Sequence, residues 1–296
     1  MVKNEETLPL KRQYGPYMCY RIIGMGESNI VYRAKHTDTK QSFALRVIRL
    51  TSHENTESII EECMEELESL KLIESDYIVP TLDFGTEQHS LYIAMRDMRG
   101  ETLMHRQKAF PTLQPSLGEV GDVLERLSLA LDQVHLLGMI HGQLEPRNIL
   151  FDEEGKAYLG DVGLARLLKI IFKLGSSNSF TMSKYSAPEV WVGERPSPAS
   201  DQYALACIVY QMITGKPPFE GNSVFDLMIR HRDDIIELPH YHRENVPVAL
   251  TMPLLRALAK QPDQRFPKAI KFHEEYTQAI RGFEGKSSDY FTKNIY

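Results

Sequence analysis

Between two β-branched and aromatic runs, YMCYRIIGMG and NIVYRAKH, lies Gly24-Met-Gly26-Glu-Ser-Asn29-Ile-Val31. Glycines lack a Cβ and so let backbone N–H groups approach a phosphate, which makes this turn a candidate phosphate cradle. A plain hairpin turn accounts for the same residues. Further along, polar side chains recur in short blocks. Ala44-Leu-Arg46 comes first, then His141-Gly-Gln143-Leu-Glu145-Pro-Arg-Asn148-Ile-Leu150, then Asp161-Val-Gly163. Ala187-Pro-Glu189, Ser200-Asp201-Gln-Tyr, Gly215-Lys-Pro-Pro-Phe219 and Gln264-Arg265-Phe266 complete the series.

The elements that must position these blocks change character along the chain. From Tyr17 to about Met98 the pattern is strand-like, with SFALRVIRL, IVPTLDF and LYIAMRDM following the first two runs. One helix interrupts them over Thr56 to Ile73, where Ile59, Ile60, Cys63, Met64, Leu67, Leu70 and Ile73 recur at three- and four-residue spacing. Beyond MRGETL, Gly118 to Leu137 forms a long amphipathic helix, and several more occupy residues 200 to 280. The boundaries predicted are a flank over 1–13, a β-rich lobe over 14–95, a hinge over 96–100, a helical lobe over 101–281 and a tail over 282–296.

Composition narrows the function classes. The chain has 296 residues, 42% hydrophobic and 25% charged, with a net charge of −6, so disorder, collagen and coiled coil are excluded as global descriptions. An acidic balance argues against a nucleic-acid partner. Cys19, Cys63 and Cys207 are odd in number and lack zinc spacing, which fits a reducing compartment. No apolar run reaches membrane-spanning length, and MVKNEETLPLKRQYG has no signal-peptide core. A soluble, cytoplasmic protein is expected.

In order and spacing the blocks resemble those of a eukaryotic-type serine/threonine protein kinase, nearest to the bacterial members, over about residues 14 to 280. The resemblance implies an α+β, bilobal fold: a five-stranded antiparallel N-lobe sheet with one helix, and a mainly helical C-lobe. It places a nucleotide in the cleft. Gly24 and Gly26 would lie over the phosphates. Met95 is then the gatekeeper, and the backbone of Arg96 and Met98 would meet the adenine. Val31 and Ala44 would cover its ring and Leu150 support it, although all three also suit ordinary core. Glu66 is the expected partner of Arg46, ahead of Glu62 on the same helix. Asn148 and Asp161 fall at the family's two metal-binding positions, so they are either Mg²⁺ ligands for bound ATP or loop residues making structural hydrogen bonds.

Against that pattern the catalytic loop departs. The family's strand lysine is Arg46, a planar fork rather than a compact ammonium. The family's aspartate base is Gln143, whose amide is no base near neutral pH; loss of a general base typically removes about 10²–10⁴-fold in rate. The family's loop lysine is Glu145. At an effective dielectric of about 20, unit charges ~4 Å apart interact by about 4 kcal/mol, so the reversal is worth further decades of rate. Met182 takes the place of a bridging threonine, and Gly142 replaces the arginine that receives a phosphorylated loop. Ser176, Ser177, Ser179 and Thr181 then read as plain loop residues.

The framework positions are kept. The resemblance gives Glu189 and Arg265 a buried ion pair and makes Asp201 the anchor of the catalytic loop. It makes His141 a packed core histidine, one of an apolar spine with Leu70, Leu82 and Val162. Leu167 to Leu174 is unusually apolar; a short helix that displaces the acidic helix, a docking segment, and a strand with a buried turn all fit it. The reading is a pseudokinase: a signalling scaffold or allosteric regulator of an active kinase or other signalling protein, with ATP and Mg²⁺ as its candidate ligands. The alternative is a weakly active ATP-dependent kinase in which Glu145 serves as the carboxylate.

Overall fold

The computed structural model describes residues 12–26, 29–50, 56–87, 89–172 and 182–281. They fall into two compact units. The first comprises the described residues of Met1–Ser75, Val79–Met98 and Arg166–Lys173, and the second those of Asp76–Ile78, Arg99–Ala165 and Leu174–Tyr296.

In the first unit, β1 (Arg12–Tyr14), β2 (Tyr17–Met25), β3 (Asn29–His36), β4 (Ser42–Arg49), α1 (Thr56–Lys71), β5 (Thr81–Glu87) and β6 (Ser90–Arg96) succeed one another. The strands form one antiparallel sheet in the order β1-β2-β3-β4-β6-β5. It has six strands where five are expected. The extra strand is the polar tripeptide RQY, which has no alternation to betray it. Its place is set by tertiary contacts: Arg12 Nη1 donates to the Tyr32 hydroxyl at 3.2 Å, and Tyr14 packs at 6.3 Å from the Tyr32 ring. The turn that follows requires Gly15, whose φ is +52° and where a Cβ would lie 2.5 Å from the Tyr92 hydroxyl.

Cross-strand register sorts the sheet into two faces. The rows Cys19–Ala34–Phe43 and Tyr32–Leu45–Ala94 build a core with Tyr17, Val47 and Tyr92. The rows Val31–Arg46–Ile93 and Arg33–Ala44–Met95 share the other face. On α1, Ile59, Cys63, Leu67 and Leu70 are buried at the helical spacing that predicted them. Leu82 does not join the proposed spine: it lies on β5 with 40% of its surface exposed.

The second unit begins with α2 (Leu103–Ala109) and α3 (Leu117–Leu136), followed by the hairpin β7 (Ile149–Phe151) and β8 (Ala157–Leu159). There follow α4 (Leu164–Phe172), which continues into the first unit from Arg166, and then α5 (Pro188–Trp191), α6 (Pro198–Thr214), α7 (Val224–Asp233), α8 (Thr251–Ala257) and α9 (Ala269–Ile280). Helix α3 starts where Ser116 and Glu119 close a reciprocal capping box. Helix α6 starts at a Ser197–Ser200 box with Pro198 in its first turn, and ends at Gly215 with φ +84°. It is buried almost all round, from Ser200 to Thr214 with the exception of Gln211, and so serves as the unit's axis.

No helix among the described residues is long and apolar enough to cross a membrane. The three cysteines are free and buried.

His231 on α7 has no exposed surface; its Nδ1 lies 2.9 Å from the Tyr203 hydroxyl and its ring 5.0 Å from that of Phe219. Burial, reinforced by the charge of Lys260, pushes its pKa down from 6.5 to about 3. Unfolded chains therefore bind a proton that the native state refuses between those values, and stability falls as pH drops from about 6.5 towards 3. The full penalty is on the order of 5 kcal/mol. Melting temperatures taken across this range should fall with acidification, and less steeply in His231→Gln.

Candidate functional site

The first unit carries the glycine turn and Arg46. Gly26 N–H donates to Asn29 O at 2.8 Å, so this amide closes a hairpin and is already satisfied. Residues 27 and 28 lie outside the described residues. Asn29 also accepts from Arg46 Nη1 at 3.1 Å through its side-chain oxygen. Ala44 sits directly across from Met95, and Val31 directly across from Arg46, on one sheet face. Arg96 ends β6 opposite Phe43, and Met98 is buried. Arg33, in the same row as Ala44, reaches Asp97 at 3.0 Å. That ion pair is not legible in the sequence, since an arginine on β3 and an aspartate just after β6 carry no joint signal.

The expected partnership of Arg46 with Glu66 is not the one formed. Glu66 Oε2 receives Arg166 Nε at 3.0 Å. Arg166 is the third residue of α4, which resolves the apolar stretch after Gly163: it is a helix, with Leu167 and Ile171 buried. Residues from 173 to 181, including Leu174, Ser176, Ser177, Ser179 and Thr181, lie outside the described residues. Burial raises the Glu66 carboxyl above its ordinary range, with Arg166 opposing and Glu62 reinforcing the rise. A buried carboxylate takes the cation that geometry brings nearest. Arg166 is supplied five residues after Asp161, while Arg46 turns to Asn29.

The second unit carries the loop from His141 to Leu150. Asp201, 2% exposed, accepts from His141 N at 2.9 Å, from Gly142 N at 2.8 Å and from His135 Nε2 at 2.8 Å. His141 is a packed residue: its Nε2 lies 3.0 Å from Gly160 O, and its Nδ1 accepts from Gln143 N at 3.4 Å. A carbonyl can only accept, so the proton resides on Nε2. Gln143 is half-buried just beyond, with Glu145 two residues on. Glu145 Oε2 pairs with Arg147 Nε at 3.0 Å. The reversed charge is thus partly offset by its own neighbour, and only partly, because Arg147 is half exposed. The several decades expected from bare reversal shrink accordingly. Leu150 is half-buried on β7, paired across to Tyr158 and bridged to Thr102.

Asn148, buried in the short turn before β7, ties two segments together. Its Oδ1 accepts from Glu145 N at 3.1 Å and its Nδ2 donates to Asp161 Oδ2 at 2.8 Å, while its carbonyl accepts from Gly160 N at 2.7 Å. Asp161 adopts φ +60°, a left-handed conformation that is uncommon outside glycine. The 2.8 Å spacing suits two ligands of one small cation, whose neighbouring oxygens lie about 3 Å apart. The polarity does not suit it, because the amide presents N–H, not oxygen, to the carboxylate. Reversing the amide forfeits both bonds, at about 1–3 kcal/mol each. No cluster of three or more His, Cys, Asp or Glu side chains able to hold a metal occurs among the described residues.

Glu189 and Arg265 form a two-pronged pair, Nη1 to Oε1 at 2.6 Å and Nη2 to Oε2 at 2.8 Å, and the arginine also donates to the carbonyls of Ala199, Ala259 and Lys260. Met182 is half-buried ahead of Tyr185, whose hydroxyl donates to Gln211 at 2.7 Å.

Residues 17–277 match the family model described as "Protein kinase domain". The chain belongs to the protein kinase family. It is 30% identical over 259 residues to the serine/threonine-protein kinase PknD of Mycobacterium tuberculosis, covering 87% of this chain and 38% of that protein. PknH of Mycobacterium bovis is 29% identical, with 86% and 42% covered. PknE of Mycobacterium tuberculosis is 30% identical, with 86% and 44% covered. The chain therefore spans about two fifths of the length of these curated relatives. The crystal structure of the kinase domain of PknI of Mycobacterium tuberculosis superposes with a TM-score of 0.68 at 23% identity, over 93% of this chain and 99% of that one, which shows the kinase fold. Protein kinases in general use ATP and Mg²⁺.

Glu189→Gln should leave the Arg265 guanidinium charged, buried and without its counter-ion, a loss of about 3–5 kcal/mol. Urea denaturation should show the midpoint shifted down with an unchanged slope.

Proposed function

We propose that this kinase-family chain is a pseudokinase that regulates an active kinase or another signalling protein and does not itself transfer phosphate. The observation that carries the reading is the contrast within one loop. Its scaffold is fully formed, with Asp201 holding the backbone of His141 and Gly142 and His141 bonded to Gly160. Yet the residue that loop presents in place of the base is the amide of Gln143. A decaying enzyme would have no reason to keep the scaffold.

The arrangement of Glu66 supports the same reading. Phosphoryl transfer in this family needs the strand cation and the helix carboxylate together. Here Arg166 holds that carboxylate and Arg46 is bonded to Asn29. The alternative, a weak kinase using Glu145 as its carboxylate, is disfavoured because that carboxylate is engaged by Arg147. Nucleotide remains a ligand of the proposal through its nucleoside, for which Val31, Ala44, Met95 and the backbone of Arg96 and Met98 are the first unit's share. The phosphate grip is weaker, since the Gly26 amide and Arg46 already have partners.

Intact-mass spectra after incubation with ATP, Mg²⁺ and a basic substrate protein should show no added phosphate on either protein. Incorporation that disappears in Glu145→Gln would establish the weak kinase instead. Restoring Gln143→Asp, Glu145→Lys and Arg46→Lys together should remain silent or nearly so, because Arg166 still occupies Glu66. Adding Arg166→Ala should free Glu66 for the strand cation and enlarge the melting-temperature shift with ATP relative to the triple variant. Equal shifts in the triple and quadruple variants would remove the Arg166–Glu66 pair from the explanation.

A further inference from the structure

The metal-binding role that the family assigns to Asn148 and Asp161 conflicts with how these two residues are bonded. Asn148 is 5% exposed, and both ends of its amide are used. The Glu145 N–H facing it can only donate, so the amide must turn its oxygen that way. The Asp161 carboxylate facing the other end can only accept, so the amide must turn its nitrogen there. This orientation follows from the chemistry of the two neighbours. A divalent cation beside Asp161 would meet two amide protons instead of an oxygen.

The surroundings lock this arrangement in place. The backbone carbonyl of Asn148 receives Gly160 N, so the residue joins the turn before β7 to the Asp161 turn by main chain as well as side chain. Glu145, the carboxylate of the same loop, is paired with Arg147 at 3.0 Å. With Asn148 committed, Asp161 is the one carboxylate of the pair, and Mg²⁺ bound through a single protein carboxylate depends on phosphate oxygens for its remaining ligands.

We infer that Asn148 and Asp161 form a hydrogen-bonded clasp between the catalytic-loop turn and the Asp-Val-Gly turn, not a divalent-cation site, and that nucleotide binding by this chain is independent of metal. The second clause rests on the nucleotide part of the proposed function; the first does not.

Two measurements on the full chain separate them. Electron paramagnetic resonance of Mn²⁺ counts free ion directly. With protein in excess, the free signal should equal that of a protein-free control of the same composition, both without nucleotide and with the non-hydrolysable analogue AMP-PNP, which itself binds Mn²⁺ through its phosphates. Stoichiometric loss of signal that Asp161→Asn abolishes would overturn the inference. Asn148→Asp sets two carboxylates in contact, so its melting temperature should fall by several degrees in EDTA and recover with Mg²⁺ or Mn²⁺, while wild type responds to neither. If Asn148→Asp does not fold, Asn148→Ala should melt lower than wild type and be indifferent to metal. A variant that melts like wild type would show that no clasp existed.

Melting with ATP in EDTA and in Mg²⁺ then tests the second clause. Equal shifts support metal independence, and a shift confined to Mg²⁺ overturns it. No shift under either condition removes nucleotide from the proposed function and leaves the Mn²⁺ result to decide the clasp.

Discussion

The carboxylate of Asp201 is almost wholly withdrawn from water and accepts from three donors at 2.8–2.9 Å: His141 N, Gly142 N and His135 Nε2. A carboxylate so buried is tolerable only when its lone pairs are filled, and those that fill it belong to the loop that presents Gln143 and Glu145. The carboxylate is held in turn by α6, the most buried helix of the second unit, which is capped at both ends by its own sequence. The chain of dependence runs from a capped helix, through one acid, to the backbone geometry of a loop. Through His141 Nε2 and Gly160 it reaches the turn that carries Asp161.

Within each unit, the polar groups singled out by the sequence are engaged by neighbours of that same unit. Arg46 is bonded to Asn29, Glu66 to Arg166, Glu145 to Arg147, and Asn148 to both Glu145 N and Asp161. Each contact follows from the rule that a polar group removed from water must find a partner. The consequences differ in strength. The Arg166 pair joins a buried carboxylate to an exposed guanidinium, and the Arg147 pair sits near solvent and is correspondingly weak. The Asn148 bonds lie in a buried turn and include one to a charged acceptor, which makes them the firmest of the set.

Much of the fold was legible because it rests on local rules. The α1 stripe of Ile59, Cys63, Leu67 and Leu70, the capping box that starts α3 and the Pro198 and Gly215 that bracket α6 act within a turn or two of chain. The sixth strand was not legible, since RQY has no pattern of its own and is placed by Tyr32 and by the room that Gly15 leaves beside Tyr92. Leu82 failed as a spine residue for a related reason. Alternation along a strand separates two faces, but which of them is covered depends on what packs there.

The same division holds for the site. Sequence alone determined which residue types occupy the loop from His141 to Leu150, an amide and not a carboxylate at Gln143 among them, because identity is a property of position in the chain. It also determined Glu189, Arg265 and Asp201 as framework, since motif order carries topology with it. Only the tertiary structure decided who pairs with whom. Arg166 competes with Arg46 for Glu66, and the Asn148 amide faces a donor on one side and an acceptor on the other. Both outcomes depend on distances of about 3 Å between residues far apart in sequence, and electrostatic and hydrogen-bond energies fall too steeply with distance for spacing along the chain to settle them.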